Sequence, residues 1–250
     1  MGVPTLGCDC PVCTSDDPRD RRMRPSILVR WQVDGRERVV VIDTGPDFRE
    51  QALRAGLHRV DAVFYTHGHA DHILGLDDLR PLSFSVAREG GQIPLFAAED
   101  TAETLLRVYD YTLAPQATYI NRARVHLQPL TERMTVHRVE FLRVPVDHGT
   151  MRIAGFRFGS TAYMTDVSAI PESSFALLDG LDCVILSALR HKPHPTHATL
   201  DQAVAWAERI GARQTWFTHI AHELGHAATN RALPANMQLA FDGQTFPITL

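Results

Sequence analysis

The segment His67-Gly68-His69-Ala70-Asp71-His72 places three imidazoles and one carboxylate within six residues, directly after the apolar run Ala62-Val63-Phe64-Tyr65. Imidazole suits zinc, iron and other first-row metals, while carboxylate oxygen suits harder ions such as manganese. Four ligands so close in sequence wrap a single ion with difficulty; two adjacent ions can share them. More His and Asp residues follow apolar runs elsewhere in the chain. Asp43 ends Val39–Ile42, His148 follows Val144-Pro145-Val146-Asp147, Asp166 follows Ala162-Tyr163-Met164-Thr165, and His219 ends Thr215-Trp216-Phe217-Thr218. Strand ends in layered α/β folds open onto a shared edge, where sites are commonly built.

A second group is the run Cys8-Asp9-Cys10-Pro11-Val12-Cys13. It supplies three thiolates, one short of a closed tetrahedral zinc site. The fourth cysteine, Cys183, lies in Leu181-Asp182-Cys183-Val184-Ile185-Leu186 and reads as a small buried strand residue. No basic stretch followed by an apolar core marks the N-terminus as a secretory signal, so a cytoplasmic setting is expected. In that setting clustered cysteines read as metal ligands and not as a disulfide framework.

The elements that must position these residues are predicted as follows. Ile27–Val33 and Val39–Asp43 form a hairpin around Asp34-Gly35, and Asp47–Ala55 is a helix stopped by Gly56. Ala62–Thr66 is a buried strand delivering the His turn, and Asp100–Tyr109 is a helix. Short β runs occupy Arg138–Val144, Arg152–Phe158 and Ala162–Thr165. Ser173–Leu178 is a short helix, Cys183–Ala188 and Thr215–His219 are strands, and Leu200–Ile210 is an amphipathic helix ended by Gly211. Leu239–Leu250 reads as a closing hairpin around Asp242-Gly243. Strands alternate with helices in both halves, which predicts an α/β protein with helices packed outside two β-rich halves. The 250 residues are expected to form one domain, 1–250, with an N-terminal zinc-binding segment at 1–25. The net charge of −4 argues against a general nucleic-acid binder, and no apolar run is long enough to span a membrane.

In order and spacing, His67-x-His69-x-Asp71-His72 followed by His148, Asp166 and His219 is similar to the ligand series of the metallo-β-lactamase fold. The resemblance implies a four-layer αββα sandwich with a dinuclear site at one edge. It implies that His67, His69 and His148 hold one ion, that Asp71, His72 and His219 hold the other, and that Asp166 bridges them. Two divalent ions, manganese or zinc, about 3.5–4 Å apart can deprotonate a shared water at neutral pH and clamp a phosphoryl oxygen. Asp43 is either an acceptor that orients one imidazole or the start of a turn at Thr44-Gly45.

The segment Gly2-Val3-Pro4-Thr5-Leu6-Gly7-Cys8-Asp9-Cys10-Pro11-Val12-Cys13 resembles the start of the phosphonate-pathway cyclic phosphodiesterases, which hydrolyse 5-phosphoribosyl 1,2-cyclic phosphate. That resemblance implies a structural zinc on Cys8, Cys10, Cys13 and His222. It also implies that His197 is the general acid, with Asp71 and Asp166 as the carboxylates closest to the chemistry. An imidazole titrates near working pH, which suits proton transfer. His191 and His194 either line the pocket or are solvated; Arg190 and Lys192 either bind a phosphate or are ordinary exposed charges. In the resembling family a strand and a Gly-rich turn precede Gly-Val-Pro. Without them a neighbouring strand would be an unpaired edge, and a homodimer would be one way to cover it.

His222-Glu223-Leu224-Gly225-His226 matches the His-Glu-x-x-His pattern of zinc proteases. The pattern needs a regular helix and a third ligand, but here it follows a strand, contains Gly225, and has no His or Glu after it. His226 is therefore expected on the surface. The expected function is hydrolysis of a small cyclic phosphodiester, with no membrane or nucleic-acid partner. The alternatives are an RNA-processing endonuclease of the same fold and a non-catalytic cofactor-binding or carrier relative.

Overall fold

The computed structural model describes residues 2–116 and 119–250, and the chain divides into two compact units. One is Arg24–Arg138; the other joins Met1–Met23 to Val139–Leu250.

The unit Arg24–Arg138 is built on a five-stranded sheet of order β1-β2-β3-β4-β5: β1 (Ile27–Val33), β2 (Arg36–Ile42), β3 (Ala62–Phe64), β4 (Ile93–Ala97) and β5 (Val125–Pro129). β1 and β2 are antiparallel, and the remaining pairs are parallel. Asp34 and Gly35 both have positive φ, 50° and 73°, as a two-residue type I′ hairpin turn requires. Val40–Ile42 and β3 are apolar and buried without alternation, as is usual for parallel strands. Helices α1 (Phe48–Arg54), α2 (Ala70–Ile73), α3 (Arg80–Arg88), α4 (Glu99–Val108) and α5 (Asp110–Leu113) follow, with a last strand β6 (Arg133–Val136). Val41, Val63, Tyr65 and Leu95 pack with Phe48, Ile73, Leu76 and Leu105 into one core.

In the second unit the strands run in the order β12-β11-β10-β9-β8-β7. β7 (Val139–His148), β8 (Met151–Phe158) and β9 (Thr161–Met164) form an antiparallel meander. β10 (Cys183–Ser187), β11 (Gln214–Thr218) and β12 (Met237–Leu239) continue it in parallel. The helices are α6 (Glu172–Phe175), α7 (Leu200–Ile210) and α8 (His226–Ala232). Thr199 caps α7 reciprocally: its hydroxyl accepts from the Gln202 N–H at 3.2 Å, and the Gln202 side chain accepts from the Thr199 N–H at 2.9 Å. Leu200, Ala203 and Ala207 of α7 then pack on Val184, Leu186 and Phe217. Among the described residues no helix is long and apolar enough to cross a membrane.

The structure departs from the sequence reading in several places. The closing hairpin at Leu239–Leu250 is absent: β12 ends at Leu239, runs parallel to β11, and no strand follows it. Asp242 instead accepts from the Met23 N–H at 3.0 Å, tying down the N-terminal segment. The strand predicted over Arg138–Val144 continues to His148, so β7 itself carries that imidazole. α3 and β4 were not predicted; the apolar run Ile93–Ala97 is short enough to pass for a loop between Gly91 and Glu99.

The turn after β2 is stitched to α2. The Thr44 N–H donates to the His72 carbonyl at 2.9 Å, and the Gly75 N–H donates to the Thr44 carbonyl at 2.8 Å. Gly45 makes this close approach possible, because a Cβ there would run into the Asp71 carbonyl oxygen. Gly45→Ala is expected to cost about 2 kcal/mol through overpacking, read as a lowered urea midpoint; an unchanged midpoint would show that the turn relaxes freely.

Candidate metal centres

Within Arg24–Arg138, β2 ends at Asp43, β3 runs into Thr66 and His67, and α2 presents Asp71 and His72. The Asp43 carboxylate is fully buried. Its Oδ1 accepts from the Thr66 N–H at 2.8 Å; its Oδ2 accepts from the Thr66 hydroxyl at 2.8 Å and from His72 Nδ1 at 2.7 Å. Burial pushes the Asp43 carboxyl above its ordinary range, and the His72 imidazole and the Thr66 donors pull it back. Since the Thr66 hydroxyl gives its proton to Asp43, it is an acceptor for His67 Nδ1, 3.0 Å away. One carboxylate thus fixes two imidazoles with Nδ1 protonated and Nε2 as the basic nitrogen. His67 Nε2 lies 2.9 Å from His69 Nδ1, and an ion at the usual Zn–N distance of about 2.0–2.1 Å can reach both. The His67 ring centroid is 4.3 Å from that of His72, a crowding of imidazoles that suits shared metals.

Within the second unit, His148 ends β7 and its Nδ1 donates to the Thr196 carbonyl at 2.7 Å, which makes Nε2 the basic nitrogen of the ring. Asp166 and His219 follow β9 and β11. His219 Nε2 is 3.2 Å from Asp166 Oδ1, and His197 Nδ1 is 3.6 Å from the same oxygen. The His197 ring stacks on His219 with centroids 4.8 Å apart, and His148 and His194 lie 4.8 Å and 4.9 Å from it. Burial, followed by the His219 charge, lowers the His197 pKa to about 3, so this imidazole is neutral near pH 7 in these surroundings. His194 is also lowered, by burial and then Arg190. His191 and Lys192 are exposed, and Arg190 donates to the Lys192 and Pro193 carbonyls, shaping its own loop.

Asp43, Asp166 and His219 share a backbone feature: each takes a positive φ, 65°, 57° and 52°. Asp and His tolerate this left-handed region better than most residues, yet each instance costs of order 1–3 kcal/mol. All three lie just past a strand, where the chain turns sharply.

The thiolates form a separate centre inside the second unit. His222 Nδ1 lies 3.2 Å from Cys8 Sγ, 3.6 Å from Cys10 Sγ and 3.4 Å from Cys13 Sγ. A tetrahedral zinc with ordinary Zn–S and Zn–N lengths sets that separation at about 3.5 Å, so the four residues fit such an ion. The Thr5 N–H donates to Cys13 Sγ at 3.3 Å and the Cys13 N–H to Cys10 Sγ at 3.5 Å. The Cys13 N–H is the main reason that the Cys10 thiol falls to about 7. Cys183 goes the other way, raised by burial to about 11, and is inert.

His226 corrects an expectation. It is 3% exposed, not on the surface; its N–H donates to Asp20 Oδ1 at 2.7 Å and its Nε2 meets Asn230 Nδ2 at 3.0 Å. It opens α8, with Gly225 as the cap, so His222 lies outside the helix and the two imidazoles do not share a helix face. The anchoring roles of Thr66, Thr196, Asp20 and Arg22 carried no sequence signal.

The model of the β-lactamase superfamily domain matches residues 38–220, most of the chain. The chain belongs to that superfamily. It has the metallo-β-lactamase fold, an α/β architecture with two sheets and helices. A solved diphosphatase from the PhnP family is similar at 52% identity and TM-score 0.91, over 100% of this chain and 94% of that one. Zn(2+)-bound PqqB from Methylobacterium extorquens matches at 20% identity and TM-score 0.75, over 99% of this chain and 96% of its own, a likeness of fold alone. An octanoyltransferase of Porphyromonas gingivalis is 33% identical over 246 residues, 97% of this chain and 48% of that protein. The chain therefore spans about half the length of that curated relative.

Asp43→Asn keeps the shape of the side chain but removes the anion that holds both imidazoles. It is expected to weaken manganese binding about 10–100-fold in a protein whose circular dichroism is unchanged; equal affinity in calorimetry would contradict the role assigned to Asp43.

Proposed function

We propose that this chain is a metal-dependent phosphodiesterase acting on a small anionic substrate, with a ribosyl cyclic phosphate as the leading candidate. In this reading His67, His69 and His148 would hold one divalent ion and Asp71, His72 and His219 the other, with Asp166 as a carboxylate that could serve both. Cys8, Cys10, Cys13 and His222 hold a structural zinc. The observation that carries the reading is the anchoring of His67, His72 and His148, each through Nδ1 on an oxygen, which leaves Nε2 ready as a ligand. The 52% identity to a diphosphatase supports phosphorus as the centre attacked. Reduced thiolates suit a cytoplasmic setting.

A pair of divalent ions supplies Lewis-acid polarisation of phosphoryl oxygens and activates water at neutral pH. The protein's own part is to hold the donors still. Asp43 and Thr66 keep His67 and His72 in one tautomer, and the Thr196 carbonyl does the same for His148. His197 is the proton donor for the leaving sugar oxygen. Its buried position disfavours the protonated imidazole, and an anionic phosphate beside it reverses that balance, so substrate binding loads the acid.

The second reading is a phosphoanhydride substrate, favoured by the diphosphatase relative. A phosphate leaving group needs little protonation, whereas a sugar alkoxide needs a great deal, so His197 separates the two. Acyl transfer has no available nucleophile among the cysteines, since three converge on His222 and Cys183 is buried.

Metal-reconstituted protein is expected to carry about three ions per chain and to hydrolyse a ribosyl cyclic phosphate in preference to a diphosphate ester or a precursor RNA. In His197→Ala the cyclic phosphate rate should fall about 10²–10⁴-fold with metal content retained. Loss of metal in that variant would make His197 a ligand, and faster diphosphate turnover in the wild type would favour the anhydride reading.

A further inference from the structure

The last proposed active-site ligand and the histidine of the thiolate centre lie three residues apart, in His219-Ile220-Ala221-His222. This segment follows β11, begins with a left-handed residue, and ends at Gly225 ahead of α8. One side is held by the neighbouring strand's exit, where the Ala221 N–H donates to the Leu189 carbonyl at 2.9 Å.

The other side is held by a buried ion pair from the N-terminal segment. Arg22 is 7% exposed and Asp20 is 6% exposed. The Arg22 guanidinium donates through Nη1 to the Ala221 carbonyl at 3.0 Å, and through Nη2 to the Leu224 carbonyl at 2.6 Å and to Asp20 Oδ1 at 3.0 Å. Asp20 Oδ1 also accepts the first N–H of α8, from His226, at 2.7 Å. Arg22 is itself fixed by paired backbone hydrogen bonds with Val3, at 2.8 and 2.7 Å, just ahead of the cysteines. A planar fork that grips the carbonyls on both sides of His222 is a geometry lysine cannot reproduce.

We propose that Arg22, held by Asp20, is a positioning residue for His219: it clamps the His219–Leu224 segment so that the imidazole meets Asp166, and it couples occupancy of the thiolate centre to metal affinity at the His219 site. The coupling is mechanical. An ion on Cys8, Cys10, Cys13 and His222 fixes the fourth residue of the segment, Arg22 fixes the third and sixth, and His219 has little freedom left. The inference rests on the metal-binding reading above and adds to it a reason why the N-terminal segment bears on the active site at all.

The test uses the full chain as Arg22→Lys, Arg22→Met and Cys8→Ser. Manganese affinity is measured by calorimetry, with circular dichroism and thermal melting as the check on folding. The expected result is manganese binding weakened about 10-fold in Arg22→Lys and more in Cys8→Ser, in protein that keeps its circular dichroism, an effect of the size that partners of metal ligands usually have. Arg22→Met is expected to be weaker still, and if it does not fold the lysine variant decides alone. A lowered melting temperature with unchanged manganese affinity in Arg22→Lys and Cys8→Ser would make the clamp purely structural and overturn the coupling. A wild-type chain that binds no manganese or zinc would overturn the underlying metal reading, and the coupling with it.

Discussion

The buried carboxylate of Asp43 is the constraint on which the unit Arg24–Arg138 depends for its chemistry. A carboxylate with no solvent exposure is costly unless it is paired and hydrogen-bonded. Here the Thr66 N–H, the Thr66 hydroxyl and His72 Nδ1 satisfy it. Those same bonds orient the imidazoles, so one set of contacts both makes the charge tolerable and prepares the ligands. The tight turn at Thr44-Gly45, bonded to His72 and Gly75, keeps the carboxylate at this depth. Fold stability and site geometry are therefore the same interaction seen from two sides.

The second unit solves its problem differently. Its candidate ligands His148, Asp166 and His219 lie at the ends of three separate strands, with left-handed backbone at Asp166 and His219. Strain of this kind persists only where the surroundings over-determine it. Asp166 is held by the Thr165 hydroxyl at 2.7 Å. His219 lies at the start of a segment gripped by Leu189, by Arg22 and by the thiolate centre. The Cys-x-Cys-x-x-Cys run meets this same loop at His222, three residues after His219, and so has a mechanical place in the proposed site.

Much of this was legible in the sequence where residue type and position coincide. The His67–His72 run, the strand-end positions of Asp43, Asp166 and His219, and the helix Leu200–Ile210 ended by Gly211 all follow from local pattern. What was not legible depends on distant partners. His226 looks like a polar loop residue until Asp20, more than two hundred positions earlier, is seen to accept its N–H. Arg22 looks like one charge in a basic stretch, yet it is buried against two carbonyls from the far end of the chain. Asp242-Gly243 carries a hairpin signal, but Asp242 accepts the Met23 N–H from the N-terminal segment instead, and β12 pairs in parallel with β11. Family resemblance named His197 as an acid; the burial and imidazole neighbours that keep it neutral near pH 7 come from residues distant in sequence.

The central claim is that the two sets of ligands serve one pair of ions, with a third ion apart on the thiolates. Anomalous X-ray diffraction from crystals of the metal-loaded protein tests it most directly. The account requires two peaks about 3.5–4 Å apart, each bonded to His67–His72 residues and to one of His148 or His219, with a third peak among Cys8, Cys10, Cys13 and His222. A single peak in place of the pair, or a pair whose ligands all come from one unit, would contradict it.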